Sequence, residues 1–349
     1  MREIKASLTP EFKRHYDFDK TPLPKADPFP VKSYTDLIMR VAQLSILNKD
    51  YIMLFRGQTA DYKNKGGAST FYPTIFRVAP DKKILSQDDI HRRFMVLEQS
   101  GRLLLEALEA HKIEGYEQIR DRELVRWSIL QHYQVCGTPL FDLTQSLLVA
   151  CSFATRANHT KHGYVYVFGL PYATGRITRN SEHDIILIRL LGIAPPSASK
   201  PLYQEGYLVG TEEITYLYRS KSELDFNRRL IAKFQIPLRP SFWDGGFAEL
   251  SKSVLDPSDL IENICEGIKN ELFTPWVTAD LKEFFDLMVE LERRISIMGS
   301  RVPKDKKSIN TLLANLSKWG ISSSQQKKIH KLFDFKSLML FARVRFSPT

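Results

Sequence analysis

The segment that most restricts what this chain can become is Tyr51-Ile52-Met53-Leu54 running directly into Phe55-Arg56-Gly57-Gln58. An apolar run this short predicts a buried β-strand over residues 51–55. An arginine at the end of such a strand is costly to hold unless something anionic pairs with it. The glycine behind it lets another backbone or a ligand come close. Two readings stay open: Arg56 holds a phosphate or carboxylate ligand, or a carboxylate of the protein satisfies it.

The rest of the chain gives that strand its context. Residues 1–33 are rich in Pro, Lys and Asp (Thr21-Pro22-Leu23-Pro24, Pro28-Phe29-Pro30) and predict an extended arm. Ser33 opens a helix with Leu37, Ile38, Val41, Leu44 and Leu47 at helical spacing. Further helices are predicted over residues 86–111, 118–134 and 145–157. Tyr164–Phe168 and Ile185–Ile188 predict buried strands. Beyond about residue 240 the pattern turns helical. Asp256-Pro257 predicts a helix start, and helices are expected over 279–298, 305–318 and 323–341. The layout is an α+β core over residues 34–240 and a helical region over 241–349.

Composition excludes some classes. No apolar run approaches the roughly 18 residues that span a bilayer, and Met1-Arg2-Glu3-Ile4-Lys5 has no apolar signal core, so no membrane partner is expected. The three cysteines, Cys136, Cys151 and Cys265, sit among apolar residues without metal-ligand spacing, which points to the cytoplasm and to no metal. Fifty Lys plus Arg against forty Asp plus Glu leave a charge of +10. That excess suits an RNA or DNA target, or simply a soluble surface. Lys306, Lys307, Lys327 and Lys328 form short basic runs that are either a phosphate-tracking face or a solvated one. An acidic antitoxin or regulatory protein would also fit them.

Four blocks in order carry a family resemblance: Phe55-Arg56-Gly57-Gln58, Tyr72-Pro73-Thr74-Ile75-Phe76-Arg77, Gln131-His132-Tyr133, and Thr138-Pro139-Leu140-Phe141-Asp142-Leu143-Thr144-Gln145-Ser146. With Gln204-Glu205-Gly206-Tyr207 further on, the chain from about 35 to 215 resembles the FRG domain family, named for its Phe-Arg-Gly motif. It departs from the family in inserting Gln134-Val135-Cys136-Gly137 before Thr138-Pro139. It also has Phe141 and Leu143 where a basic residue and a tryptophan are common.

A looser resemblance, to the ADP-ribosyltransferases, implies a mixed-sheet core that binds NAD. It implies that Arg56, with Gly57 and Gln58, holds the dinucleotide, and that Thr144 and Ser146 brace the nicotinamide pocket. Gln204 and Glu205 would then act with Arg56 at the reacting ribose, with Glu212 and Glu213 as other carboxylate candidates. His132 and Tyr133 could stack on the nicotinamide or close a helix end. Asp142 could orient Arg56 or His132, or form a turn, and Thr144 and Ser146 could cap the following helix. The expected activity is an NAD-dependent ADP-ribosyltransferase-like toxin or anti-phage defence effector modifying a cytoplasmic target, with nucleic acid, RNA above all, favoured. The alternative is a non-catalytic FRG module that binds a ligand or partner.

Overall fold

The computed structural model describes residues 1–17, 19–78, 85–156, 161–212 and 221–272. Two units divide the chain, Met1–Ile268 and Lys269–Thr349, and the first holds every element below except the last turn of α9. The helices expected beyond residue 272, with Lys306, Lys307, Lys327 and Lys328, lie outside the described residues, as does Glu213.

The apolar run forms strand β2 (Ile52–Gln58), which ends three residues later than the apolar pattern alone predicts. It crosses the middle of an eight-stranded sheet with β1 (Phe29–Pro30), β3 (Phe141–Thr144), β4 (His162–Leu170), β5 (Ile177–Asn180), β6 (Ile185–Arg189), β7 (Gly206–Gly210) and β8 (Leu230–Pro237). The spatial order is β1-β8-β4-β2-β3-β7-β6-β5. Every pairing is antiparallel except β1 with β8. All of β2 is paired along β4, from Ile52 opposite Leu170 to Gln58 opposite Tyr164. On its other side β2 meets β3 at one position only, Phe55 opposite Thr144. The sheet is therefore split between β2 and β3, and the fold is α+β.

Helix α6 (Leu147–Thr155) lies so close to the sheet that glycine is required beneath it. A Cβ at Gly57 would stand 1.7 Å from the Ala150 carbonyl oxygen, and one at Gly163 on β4 would stand 2.6 Å from that of Ala154. The glycine of the Phe-Arg-Gly stretch thus admits a helix backbone. Gly57→Ala is expected to destabilise the fold by about 3 kcal/mol through overpacking. A melting curve would show this as a fall of roughly 6–12 °C in Tm.

The other face of β2 is covered by aromatic rings. Phe71 packs edge-on against Tyr166 and Phe168, with centroids 4.6 and 5.0 Å apart, and Phe141 stacks on Phe226 at 5.0 Å. Helices α2 (Tyr34–Leu47, capped by Ser33) and α3 (Gln87–Ala110) form where helices are expected, whereas the one helix expected over 118–134 is divided at the extended Arg122 into α4 (Tyr116–Asp121) and α5 (Glu123–His132). Two short helices, α7 (Lys200–Tyr203) and α8 (Lys252–Leu255), precede α9 (Leu260–Leu272).

Two local expectations are corrected. The segment expected to be an extended arm contains α1 (Pro10–Tyr16), opened by Thr9 with proline in the first turn. Leu8, Phe12 and Tyr16, four residues apart, are all buried, a helical spacing that the surrounding prolines obscure. Asp256-Pro257 does not open a helix: Asp256 closes α8. The N-terminal cap of α9 is Asp259, whose Oδ1 accepts from the Glu262 amide at 2.8 Å.

Candidate functional site

Where the sheet splits, a cavity of about 610 Å³ opens between the two edges. Phe55, Arg56 and Gly57 of β2 line one side, and Asp142, Leu143 and Thr144 of β3 the other. Backbone groups along a split edge lose their ladder partners and need others. Arg56 supplies one: its Nη1 donates to the Asp142 carbonyl at 2.7 Å, crossing the gap where the backbones do not pair. The guanidinium also sits 4.7 Å from the centroid of the Phe141 ring. Its Nε is buried and has no hydrogen-bond partner. Burial lowers the Arg56 pKa to about 10, opposed by the Asp142 charge and reinforced by Arg77. At neutral pH the site therefore presents a charged, incompletely paired guanidinium, an arrangement that favours an anion.

Arg77 brings a second guanidinium to the same cavity from the Tyr72–Arg77 stretch. Its Nε donates to the Tyr72 carbonyl at 2.9 Å, and burial lowers its pKa while Asp142 opposes the shift. The polar residues of the second, third and fourth sequence blocks join behind this pair. Gln131 accepts from Thr138 Oγ1 at 2.8 Å and lies 2.9 Å from Thr74 Oγ1, and its amide donates to Asp142. His132 lines the cavity, with a buried Nε2 that has no partner. Burial lowers its pKa against the pull of Asp142, so the ring is neutral at pH 7. A side chain at Gly206 would come within 3.2 Å of the His132 ring, so Gly206 makes room for it.

The expected site residues separate into two groups. Arg56, Gly57, His132, Thr144 and Gln204 line the one cavity. Gln58, Tyr133, Ser146 and Glu205 are not part of its lining. Tyr133 is turned away from it, its hydroxyl donating to Asp259 at 2.7 Å. Ser146 caps α6 by accepting from the Val149 amide at 3.4 Å. Thr144 Oγ1 donates to the Gln204 carbonyl at 2.7 Å and accepts from the Ser146 amide, tying β3 to the turn before β7. In that turn Glu205 takes a left-handed φ of 45° and accepts from Gln145 at 2.9 Å, while Gln204 faces the cavity and donates to the Leu255 carbonyl. Glu212 lies at the far end of β7, its amide bonded to Asp184 at 3.0 Å.

Sequence reasoning passed over Arg77, Gln131 and Asp256 as site residues. Arg77 and Gln131 stood within the matched blocks, where an arginine closing an apolar stretch was a usable signal. Asp256 reaches the cavity from α8, held by Arg156 and 3.8 Å from Lys200 Nζ, and nothing local announces it. Among the described residues no group of His, Cys, Asp and Glu could hold a metal ion. No described helix is long and apolar enough to cross a membrane. Burial raises the Cys136 pKa to about 11, so the thiol lining the cavity is an inert, protonated wall.

An α+β sheet split by a guanidinium-bearing cavity is the class of molecule these features define. Residues 52–163 match the family model of the FRG domain. The match takes in Arg56, Arg77, Gln131, Asp142 and Thr144 and stops before Gln204 and Asp256. No curated protein and no solved structure matches the chain.

Proposed function

We propose that the cavity binds the pyrophosphate of NAD and that the chain is an ADP-ribosyltransferase-like toxin or anti-phage defence effector acting on a cytoplasmic target. The observation that carries this reading is Arg56, a charged guanidinium with a free buried Nε at the split of the sheet. Arg77 beside it supports a ligand with two linked anionic groups, and the cavity has the size of a ligand site. His132, Thr144 and Gln204 supply a neutral imidazole, a fixed turn and an amide on the opposite wall. NAD would contribute a transferable ADP-ribosyl group; loss of its nicotinamide builds positive charge on the ribose and calls for a nearby carboxylate. The charge of +10 supports RNA or DNA as acceptor, with Lys306, Lys307, Lys327 and Lys328 as its contact face and an acidic antitoxin as competitor.

One observation favours a second reading, a non-catalytic module that holds the same ligand. Glu205 is engaged by Gln145, and the lining carboxylates Asp142 and Asp256 are engaged by Gln131 and Arg156. Incubating the protein with adenylate-labelled NAD and a panel of RNA, DNA and protein separates the two. Label transferred to one acceptor supports the transferase. NAD bound and recovered unchanged supports the module. No binding at all removes NAD from the site.

A further inference from the structure

Gln131 stands at the end of α5, 6% exposed, with every polar atom of its amide engaged. An ionised carboxylate only accepts, so the amide NH₂ must face Asp142 and the amide oxygen must face the two threonine hydroxyls. Thr74 and Thr138 are themselves fixed, since the Thr138 amide donates to Thr74 Oγ1 at 3.0 Å and the Leu140 amide to Thr138 Oγ1 at 3.2 Å. Asp142 thus has its side chain held by Gln131 and its carbonyl held by Arg56. Beyond the Phe55–Thr144 pair, no ladder bond fixes that carbonyl relative to β2.

We infer that Gln131 is a positioning residue for Arg56, acting through Asp142. The β3–β7 ladder holds the Asp142 peptide from one side, the glutamine completes its placement through the side chain, and that peptide sets where the guanidinium is presented to an anion. The inference rests on the proposed anion site only for its binding readout; the position of Arg56 can be read without ligand.

A charge-conserving exchange tests it. In Gln131→Glu the new carboxylate can still accept from Thr74 and Thr138, but its second oxygen meets the Asp142 carboxylate, and two like charges cannot share that contact. In the double variant Gln131→Glu with Asp142→Asn, the asparagine amide donates to the glutamate, and the contact returns with its polarity reversed and the net charge unchanged. Two readouts on the full chain apply: the Nε–H resonance of Arg56 in a ¹H–¹⁵N spectrum, and titration with inorganic pyrophosphate. The single variant is expected to shift the Arg56 resonance and weaken pyrophosphate binding about 10-fold. The double variant is expected to return the resonance and to recover affinity to within about 3-fold. An Arg56 resonance unmoved in Gln131→Glu, or a double variant as impaired as the single, overturns the inference. If wild-type protein ignores pyrophosphate, the anion site itself fails, and the Arg56 resonance still decides the positioning role.

Discussion

Arg56→Ala is expected to weaken anion binding at the cavity by about 100-fold or more, the usual cost of losing a partly buried charge-assisted contact. The same substitution should leave Tm within a few degrees of wild type. The contact it removes inside the protein, to the Asp142 carbonyl, faces an open cavity where water can replace it. It also relieves the burial that lowers the arginine's pKa. Arg56→Lys should fail almost as badly, because an ammonium has no planar fork to span the carbonyl, the Phe141 ring and a ligand together. Isothermal titration with pyrophosphate and NAD, alongside a melting curve, checks both halves. A variant that binds as wild type does would remove Arg56 from the site, and one that unfolds would make Arg56 structural.

A second large effect is expected at Lys233, which lies fully buried in β8. Its ammonium donates to the Pro24 carbonyl at 3.1 Å and Ser69 Oγ at 3.0 Å, with Asp61 at 3.9 Å. Burial lowers its pKa to about 8, against the pull of Asp61. The unfolded chain keeps that proton up to the ordinary lysine range, so between about pH 8 and 10 the unfolded state binds more protons than the folded one. In that window Lys233 therefore makes stability rise with pH, by about 1.4 kcal/mol per unit. Half-buried Cys136 and buried Cys151, whose pKa values are raised, act in the opposite sense. They cancel in the difference between wild type and Lys233→Met. Urea unfolding of both proteins from pH 7 to 10 should show that difference moving steadily toward wild type. A difference independent of pH would mean that the lysine titrates normally.

Much of the framework was legible because it follows simple periodicities. Helix α2 carries its cap and apolar stripe in plain sight, and β2, β4 and β6 are runs of Val, Ile, Leu and aromatics. Strands β3, β7 and β8 were harder to read. Asp142 and Thr144 make up half of β3, glycines bound β7, and Lys233 interrupts the apolar pattern of β8. In each case the residue that hides the strand is one that tertiary contacts satisfy. The site was half legible for a related reason. Arg56, His132, Thr144 and Gln204 could be picked out by residue type, but which of Gln204 and Glu205 faces the cavity depends on one left-handed turn. Asp256 needed α8 to fold back, which no local pattern encodes.

The single pairing between β2 and β3 divides the sheet into two plates, β1-β8-β4-β2 and β3-β7-β6-β5, joined by one backbone joint. Prising apart β2 and β4 would break a whole ladder. Widening the gap between the plates would break one bridge and the Arg56–carbonyl contact, and would draw Phe141 of β3 away from Phe168 of β4 and from Phe226. The seam is therefore held by side chains where the rest of the sheet is held by backbone. A ligand gripped by Arg56 on one plate and by the β3–β7 side on the other would act as a mortar, making the molecule stiffer when occupied than when empty.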